Sequence, residues 1–351
     1  MNNGVNANQL ADIGFGFNNS GANLYVNAQL APGIRVALTS YLSSRHHNET
    51  WVKDGYIQID QSPIDWAPAK MLFEIVTLKV GHMEINYGDA HFRRSDNGNG
   101  IYNPFIGNYI LEAQATEVAA EGYLKTKGII AMAAVTNGES RGSVLTPQKR
   151  SLAKIAKLGV DRNVTPALRV RITGSVYKTD KSNGNTLYGG DRAGSRYGYV
   201  LENTAATETG NAFSGTLNPG FRNEVTALVV NPFVKFRGLE VFGNLERSSG
   251  KASAEPDRRV WKQLAGEVVY RFLPREQLFL GARYNRVEGP LATSLAEIDA
   301  RRTQLAVGWF MTRNVLIKAE YVDQVYKGFP ASDIRNGGKF HGAMLEGAIG
   351  F

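Results

Sequence analysis

Apolar and polar residues alternate with a period of two from one end of this chain to the other, the spacing of β-strands with one face in apolar surroundings. The last run is the clearest. Ala343, Leu345, Gly347, Ile349 and Phe351 share one face, and Gly342, Met344, Glu346, Ala348 and Gly350 share the other. The same pattern places Leu278, Leu280, Ala282 and Tyr284 together, puts Arg169 and Arg171 on one face of their run, and sets Lys318 and Glu320 opposite Ile317 and Ala319. Glu267 and Arg271 fall on one polar face, where inward charges of this kind either pair and stiffen the wall or cluster to select solutes. A charge between apolar neighbours of the other face is what a strand with lipid outside and water inside requires.

The runs predict strands over 10–17, 22–30, 34–45, 50–60, 71–86, 117–126, 128–137, 151–161, 166–179, 222–236, 238–249, 258–272, 276–288, 298–311, 314–327 and 339–351. The segment 10–17 is short. It is counted because 22–30 and the last strand run in the same direction, and an added upward strand makes the seam antiparallel. In 151–161, Lys154 and Lys157 cannot both face water unless a bulge intervenes. Short connections such as Ala31–Gly33, Phe236–Gly238, Leu273–Glu276 and Thr312–Asn314 alternate with long polar ones, 87–116, 138–150, 180–221, 249–257, 289–297 and 328–338. Short turns at one end and long loops at the other predict an all-β fold, a transmembrane antiparallel up-and-down β-barrel of about sixteen strands with periplasmic turns and external loops. Residues 1–351 are read as a single barrel domain. Phe236, Phe272, Trp309 and Phe351 share outward parity near the short turns, as an interfacial aromatic girdle would.

Composition adds exclusions. Mean hydropathy is −0.26, and no stretch approaches the apolar length of a membrane helix. With no cysteine, disulfides, thiolate metal sites and a cysteine nucleophile are excluded. The net charge of +8 favours anionic partners, but Lys and Arg are spread evenly and no nucleic-acid recognition motif occurs, so no nucleic acid is expected. Met1–Gly4 lacks a basic and an apolar region, so the sequence reads as a mature form without its signal peptide.

The terminal strand, with Leu345, Ile349 and a final Phe351, resembles the C-terminal signature of bacterial outer-membrane proteins, which the barrel assembly machinery reads. The layout resembles the sixteen-stranded porins, whose third external loop folds into the pore; 87–116 is the third long connection and follows the fifth predicted strand. Asp54–Gln58 and Leu78–Met83 are similar to early strands of the phosphate-selective porin O and P family, although that family's lysine-rich ladder is missing. The resemblance implies an integral protein of the Gram-negative outer membrane that passes small hydrophilic solutes or anions by diffusion. It also implies contact with outer-membrane lipid and lipopolysaccharide, and a homotrimer. The alternative is a structural or surface-binding barrel in which loop 180–221 plugs the pore or meets a partner.

Catalysis is not expected: the five histidines have no orienting partners at readable spacing. His46, His47 and Glu49 read as a solvated loop rather than a metal site, Asp96–Gly100 as a Gly/Asn turn, and no P-loop occurs; no metal or cofactor is expected. The functional material is charge. Loop 87–116 carries Asp89, Arg93, Arg94, Asp96, Tyr102 and Phe105, and its apolar stretch Ile101–Ile110 predicts packing on the inner wall. That would set Arg93 and Arg94 at a constriction opposite Arg169 and Arg171, unless they pair with Asp89 and Asp96 and only brace the loop. By parity the lumen wall carries Arg35, Lys79, Arg169, Arg171, Lys235, Arg271, Arg283, Arg302 and Lys318, against Asp54, Asp60, Glu121, Glu240, Glu246, Glu267, Glu320 and Glu346.

Overall fold

A computed structural model describes residues 9–43, 50–96, 99–140, 146–189 and 193–351. Fifteen strands form one antiparallel sheet in chain order. They are β1 (Gly21–Ala31), β2 (Ile34–Ser43), β3 (Thr50–Ile59), β4 (Val76–Glu84), β5 (Thr116–Thr126), β6 (Ile129–Thr136), β7 (Ala153–Thr165) and β8 (Leu168–Thr179), followed by β9 (Glu224–Phe236), β10 (Leu239–Lys251), β11 (Arg259–Phe272), β12 (Leu278–Pro290), β13 (Glu297–Thr312), β14 (Val315–Lys327) and β15 (Lys339–Ile349). The short turns use residues that tolerate positive φ. Lys127 and Gly128 both adopt it between β5 and β6, as a two-residue hairpin turn demands, and an added Cβ at Gly128 would meet the Asp161 carbonyl oxygen at 2.8 Å.

Two predicted strands differ. Residues 10–17 are not a strand: Leu10 makes an isolated bridge to Asn203, Ala11 N–H donates to Glu202 O, and Phe15 and Phe17 stand fully exposed. The predicted run 71–86 begins as helix α1 (Ala67–Phe73), with Pro68 in its first turn, and only 76–84 is strand. Proline's fixed φ, with the helix formers Ala69, Lys70, Met71 and Leu72 behind it, outweighs the apolar alternation there. The connection 60–75 is therefore long although it lies at the short-turn end. One consequence is that loop 87–116 follows the fourth strand, not the fifth. Lys154 and Lys157 need no bulge: Lys154 faces out and Lys157 in.

The sheet is inside-out relative to a water-soluble protein. Its outward face is leucine, valine and aromatic, including Phe236, Phe272 and Trp309 at the short-turn end. Its inward face holds Glu121, Lys157, Asn231, Glu267, Asn285, Arg302, Gln304, Lys318 and Glu320, all buried. Leu345, Ile349 and Phe351 project from the outward side of β15 at 74%, 67% and 113% exposure, while Glu346 turns inward to Lys318.

β1 and β15 are the sheet's edges and run in the same direction; among the described residues no ladder joins them. Both edges nevertheless converge on one stretch of loop 87–116. Asn23 of β1 donates to Asp96 (3.1 Å), Tyr25 to Asn99 (2.7 Å), and Lys318 of β14 to Gly100 O (2.8 Å), with Glu346 of β15 against Gly100. The sheet therefore curls round into a barrel.

Candidate functional site

Loop 87–116 lies inside the barrel. Irregular backbone at membrane depth survives only where protein groups satisfy it, and here the wall does so side chain by side chain. At the loop's entry Asp89 is held by three strands. Its carboxylate accepts from Arg171 (2.8 and 3.0 Å) and Thr173 (2.8 Å) of β8 and from Lys157 (3.0 Å) of β7, and its N–H donates to Asn231 (2.8 Å) of β9. Burial alone would raise this carboxyl, but the hydrogen bonds and charges of Arg171 and Lys157 prevail and hold it well below the ordinary carboxylate range.

Further in, Arg93 donates to Glu267 (3.2 Å) and lies 3.8 Å from Glu240, its guanidinium over the rings of Phe242 and Phe233. Glu267 also takes Arg283 (2.8 Å) and the Tyr109 hydroxyl. Arg283 donates to Gly107 O (2.6 Å) beneath the rings of Phe105 and Tyr109. Phe105 is fully buried beside Phe279 and Leu316. Lys318 donates to the carbonyls of Gly100, Asn103 and Phe105 at 2.8–2.9 Å and pairs with Glu346 (2.9 Å). Arg94 makes a bidentate pair with Glu112 inside the loop (2.7 and 2.8 Å), and Asp96 pairs with Lys53 of β3. Tyr102 is 68% exposed.

Several expected pairings are thus replaced. Arg93 and Arg94 pair with neither Asp89 nor Asp96 and are not bare guanidinium groups at a constriction. Arg171 binds the loop's Asp89 instead of facing Arg93 across a gap. Glu267 does not pair with Arg271, which reaches Glu240 (2.9 Å) on the neighbouring strand. In an antiparallel ladder cross-strand neighbours are closer than residues four apart on one strand.

Loop 180–221 is not simply external. Leu187, Tyr188, Tyr197, Leu201 and Leu217 are buried in one apolar cluster with Ile110 and Leu111 of loop 87–116 and with Trp261, Val287 and Ala300 of the wall. Three wall side chains each bridge both loops. Glu246 accepts from Tyr87 (3.2 Å) and Tyr188 (2.7 Å). Glu320 accepts from Ile106 N–H (2.8 Å) and Tyr197 (2.6 Å). Arg302 donates to Asn108 O and to Gly215 O (2.7 Å). Burial, with Glu246 alongside, pushes the Tyr87 and Tyr188 phenols well above the usual tyrosine range, so both remain donors.

Toward the short-turn end and on β4, inward charges keep part of their surface open to solvent. Arg169 (46% exposed) pairs with Asp161 (2.8 Å), Lys235 with Glu276 (2.8 Å), and Lys79 lies 4.0 Å from Glu121. Arg35 donates to Gln58 (2.7 Å) and has no acid within ion-pair distance among the described residues. His46, His47 and Glu49 lie outside the described residues, as do positions 97 and 98 of the Gly/Asn turn. Among the described residues no group of three metal-ligating side chains occurs.

Charge parity overlooked the amides. Gln263, Asn285, Gln304 and Gln324, on β11–β14, bond the backbones of Leu111 and Ile110, the carboxylate of Glu320 and the carbonyl of Gly215. Their inward parity was readable, but an uncharged amide advertises neither selectivity nor a loop partner.

No protein-family model and no curated protein matches the chain. Solved structures do. An anion-selective porin from Comamonas acidovorans aligns with TM-score 0.55 at 9% identity, over 93% of this chain and 87% of that one. The outer membrane channel DcaP of Acinetobacter baumannii aligns with TM-score 0.52 at 10% identity, over 93% and 83%. The fold is that of the outer-membrane β-barrels. A trimer form of in-vitro folded OmpT, an outer membrane protein of Vibrio cholerae, aligns with TM-score 0.51 at 12% identity, over 92% and 85%. Loops 87–116 and 180–221 both enter the barrel from the end opposite the short turns.

Proposed function

We infer that residues 1–351 form one porin domain, a passive diffusion channel for small hydrophilic solutes with a preference for anions. The carrying observation is loop 87–116, folded into the barrel and fastened across it from Asp89 on β7–β9 to Lys318 on β14, so that it narrows a lumen this wide. Arg93 and Arg94 sit within that constriction in neutralised pairs. Anion preference rests on the wall cations that reach water, Arg35, Lys79, Arg169 and Lys235, of which Arg35 has no acid partner among the described residues. Cations lining a narrow channel raise the local concentration of anions. These four lie on β2, β4, β8 and β9 rather than in a stacked ladder, which favours small anions in general over the phosphate implied by the porin O and P resemblance. The test is reversal potential in a salt gradient. Arg35→Gln with Lys79→Gln is expected to lower the anion-to-cation permeability ratio by about two- to fivefold at low salt, the effect of losing about 0.5–1 kcal/mol, and by less at 1 M where screening is strong. An unchanged ratio at low salt refutes the anion preference.

A second reading, a plugged barrel that serves as a structural or surface-binding protein, is favoured by the three side chains that bridge both loops. Steady channels in planar bilayers exclude it, and a folded protein that never conducts supports it. A homotrimer accords with the trimer form of the Vibrio cholerae barrel, and recognition by the assembly machinery with Leu345, Ile349 and Phe351 on the outward side of β15. Deleting Phe351 is expected to lower the yield of heat-modifiable folded barrel in the membrane while export continues; equal yields would remove its role as an assembly signal.

A further inference from the structure

We propose that the lipid-facing external rim of β10–β14 binds the phosphates of an outer-leaflet glycolipid, the chemistry of a bisphosphorylated lipid A. Two pairs of cations stand directly opposite each other across the ladder there: Arg247 faces Lys262, and Arg286 faces Arg301. Lys327 lies beside them, opposite Asp299. All five project on the outward side, the face that carries Leu245, Leu264, Tyr284 and Leu305 lower down the same strands. Like charges set opposite one another destabilise a sheet. The local acids compensate only in part: Asp299 bonds Arg286 (3.0 Å) and Arg301 (2.5 Å), and Glu288 bonds Arg286 (2.5 Å). Arg247, Lys262 and Lys327 have no hydrogen bond or ion pair among the described residues.

Height selects the ligand. Leu278 and Trp309 face each other near the periplasmic turns, and Arg286 and Arg301 face each other eight residues further out. At a rise of about 3.4 Å per residue and a tilt of about 40°, that is roughly 20 Å across the membrane, close to the ~25 Å of the apolar band. The cations therefore sit at the outer boundary, level with lipid phosphates, with apolar side chains beneath them for the acyl chains. Paired arginines match phosphate oxygens through parallel N–H bonds, and the outward direction puts them beyond the reach of solutes in the lumen.

Full-length barrel in phosphatidylethanolamine vesicles, doped at equal mole fraction with bisphosphorylated lipid A, dephosphorylated lipid A or phosphatidylglycerol, provides the test through its heat-modifiable unfolding temperature. A ligand that binds only the folded state raises this temperature. Bisphosphorylated lipid A is expected to raise it by several degrees, and the other two by little. Arg286→Gln with Arg301→Gln, and Arg247→Gln with Lys262→Gln, should each shrink that shift, and all four together should abolish it. An equal shift with dephosphorylated lipid A or phosphatidylglycerol overturns the proposal, as does a full shift in the fourfold variant. The comparison of lipids on the unaltered protein decides the matter even where a variant fails to fold. The readout is independent of conductance, so the result stands whether or not the barrel is a channel.

Discussion

Excising Leu187–Leu217 and rejoining the ends through a short glycine linker is expected to raise single-channel conductance by at least about twofold, because the wall of a barrel this wide does not itself fill the lumen. The segment supplies Tyr188 and Tyr197 to Glu246 and Glu320, and Gly215 O to Arg302, besides the buried Leu187, Leu201 and Leu217. A folded deletion variant with unaltered conductance would show that this segment does not limit the channel. Tyr188→Phe with Tyr197→Phe serves as a milder companion. It removes one donor from each of two buried carboxylates, a cost of about 1–3 kcal/mol for each group left unsatisfied, and should increase gating noise before conductance.

Asp89→Asn is expected to be the most damaging single change in loop 87–116. It leaves the Lys157 ammonium, 1% exposed, without its carboxylate and removes the charge that Arg171 grips. Breaking a buried pair from one side costs about 3–5 kcal/mol, so the unfolding temperature should drop and loop 87–116 should come loose at its entry. Adding Lys157→Met should restore part of the loss. If Asp89→Asn unfolds with the wild type, Asp89 does not tether the loop. The pH dependence follows from the depressed Asp89 carboxyl. Its stabilisation is fully present above the ordinary aspartate value, near 4, and disappears only as pH falls through the lower folded value. The wild-type loop should therefore stay docked from neutrality down through that range, as constant bilayer conductance would report.

Parity along each strand made most of the barrel legible. Lipid on one side and water on the other impose a period of two so strictly that Arg169, Glu267, Lys318 and Glu346 could be assigned to the inside from their neighbours alone. Two segments misled for local reasons. Residues 10–17 alternate as a strand does but pair with no strand among the described residues, and Met71–Phe73 belong to a helix that Pro68 starts. The partners of the loop were not legible. Parity states which face a residue occupies, not what lies across the lumen, and Glu320 meets Ile106 from 214 positions away. That loop 87–116 would pack inward was readable from its apolar stretch Ile101–Ile110, whereas the exchange of partners at Arg93, Arg94 and Glu267 depends on distances only the closed barrel defines.

Asp96 and Asn99 bond β1 on one side and Gly100 bonds β14 on the other, where the sheet's two edges converge with no ladder between them among the described residues. The loop that fills the barrel and the latch of the cylinder are thus one object, which gives the molecule a built-in order of failure. Pulled from its N-terminus, the chain gives up the bonds of Leu10 and Ala11 to Asn203 and Glu202, and β1 is then the first strand released, because it has a hydrogen-bonded ladder on one side alone. A crosslink from position 23 to position 96 would move the first strand rupture elsewhere and, by the same stroke, immobilise the loop.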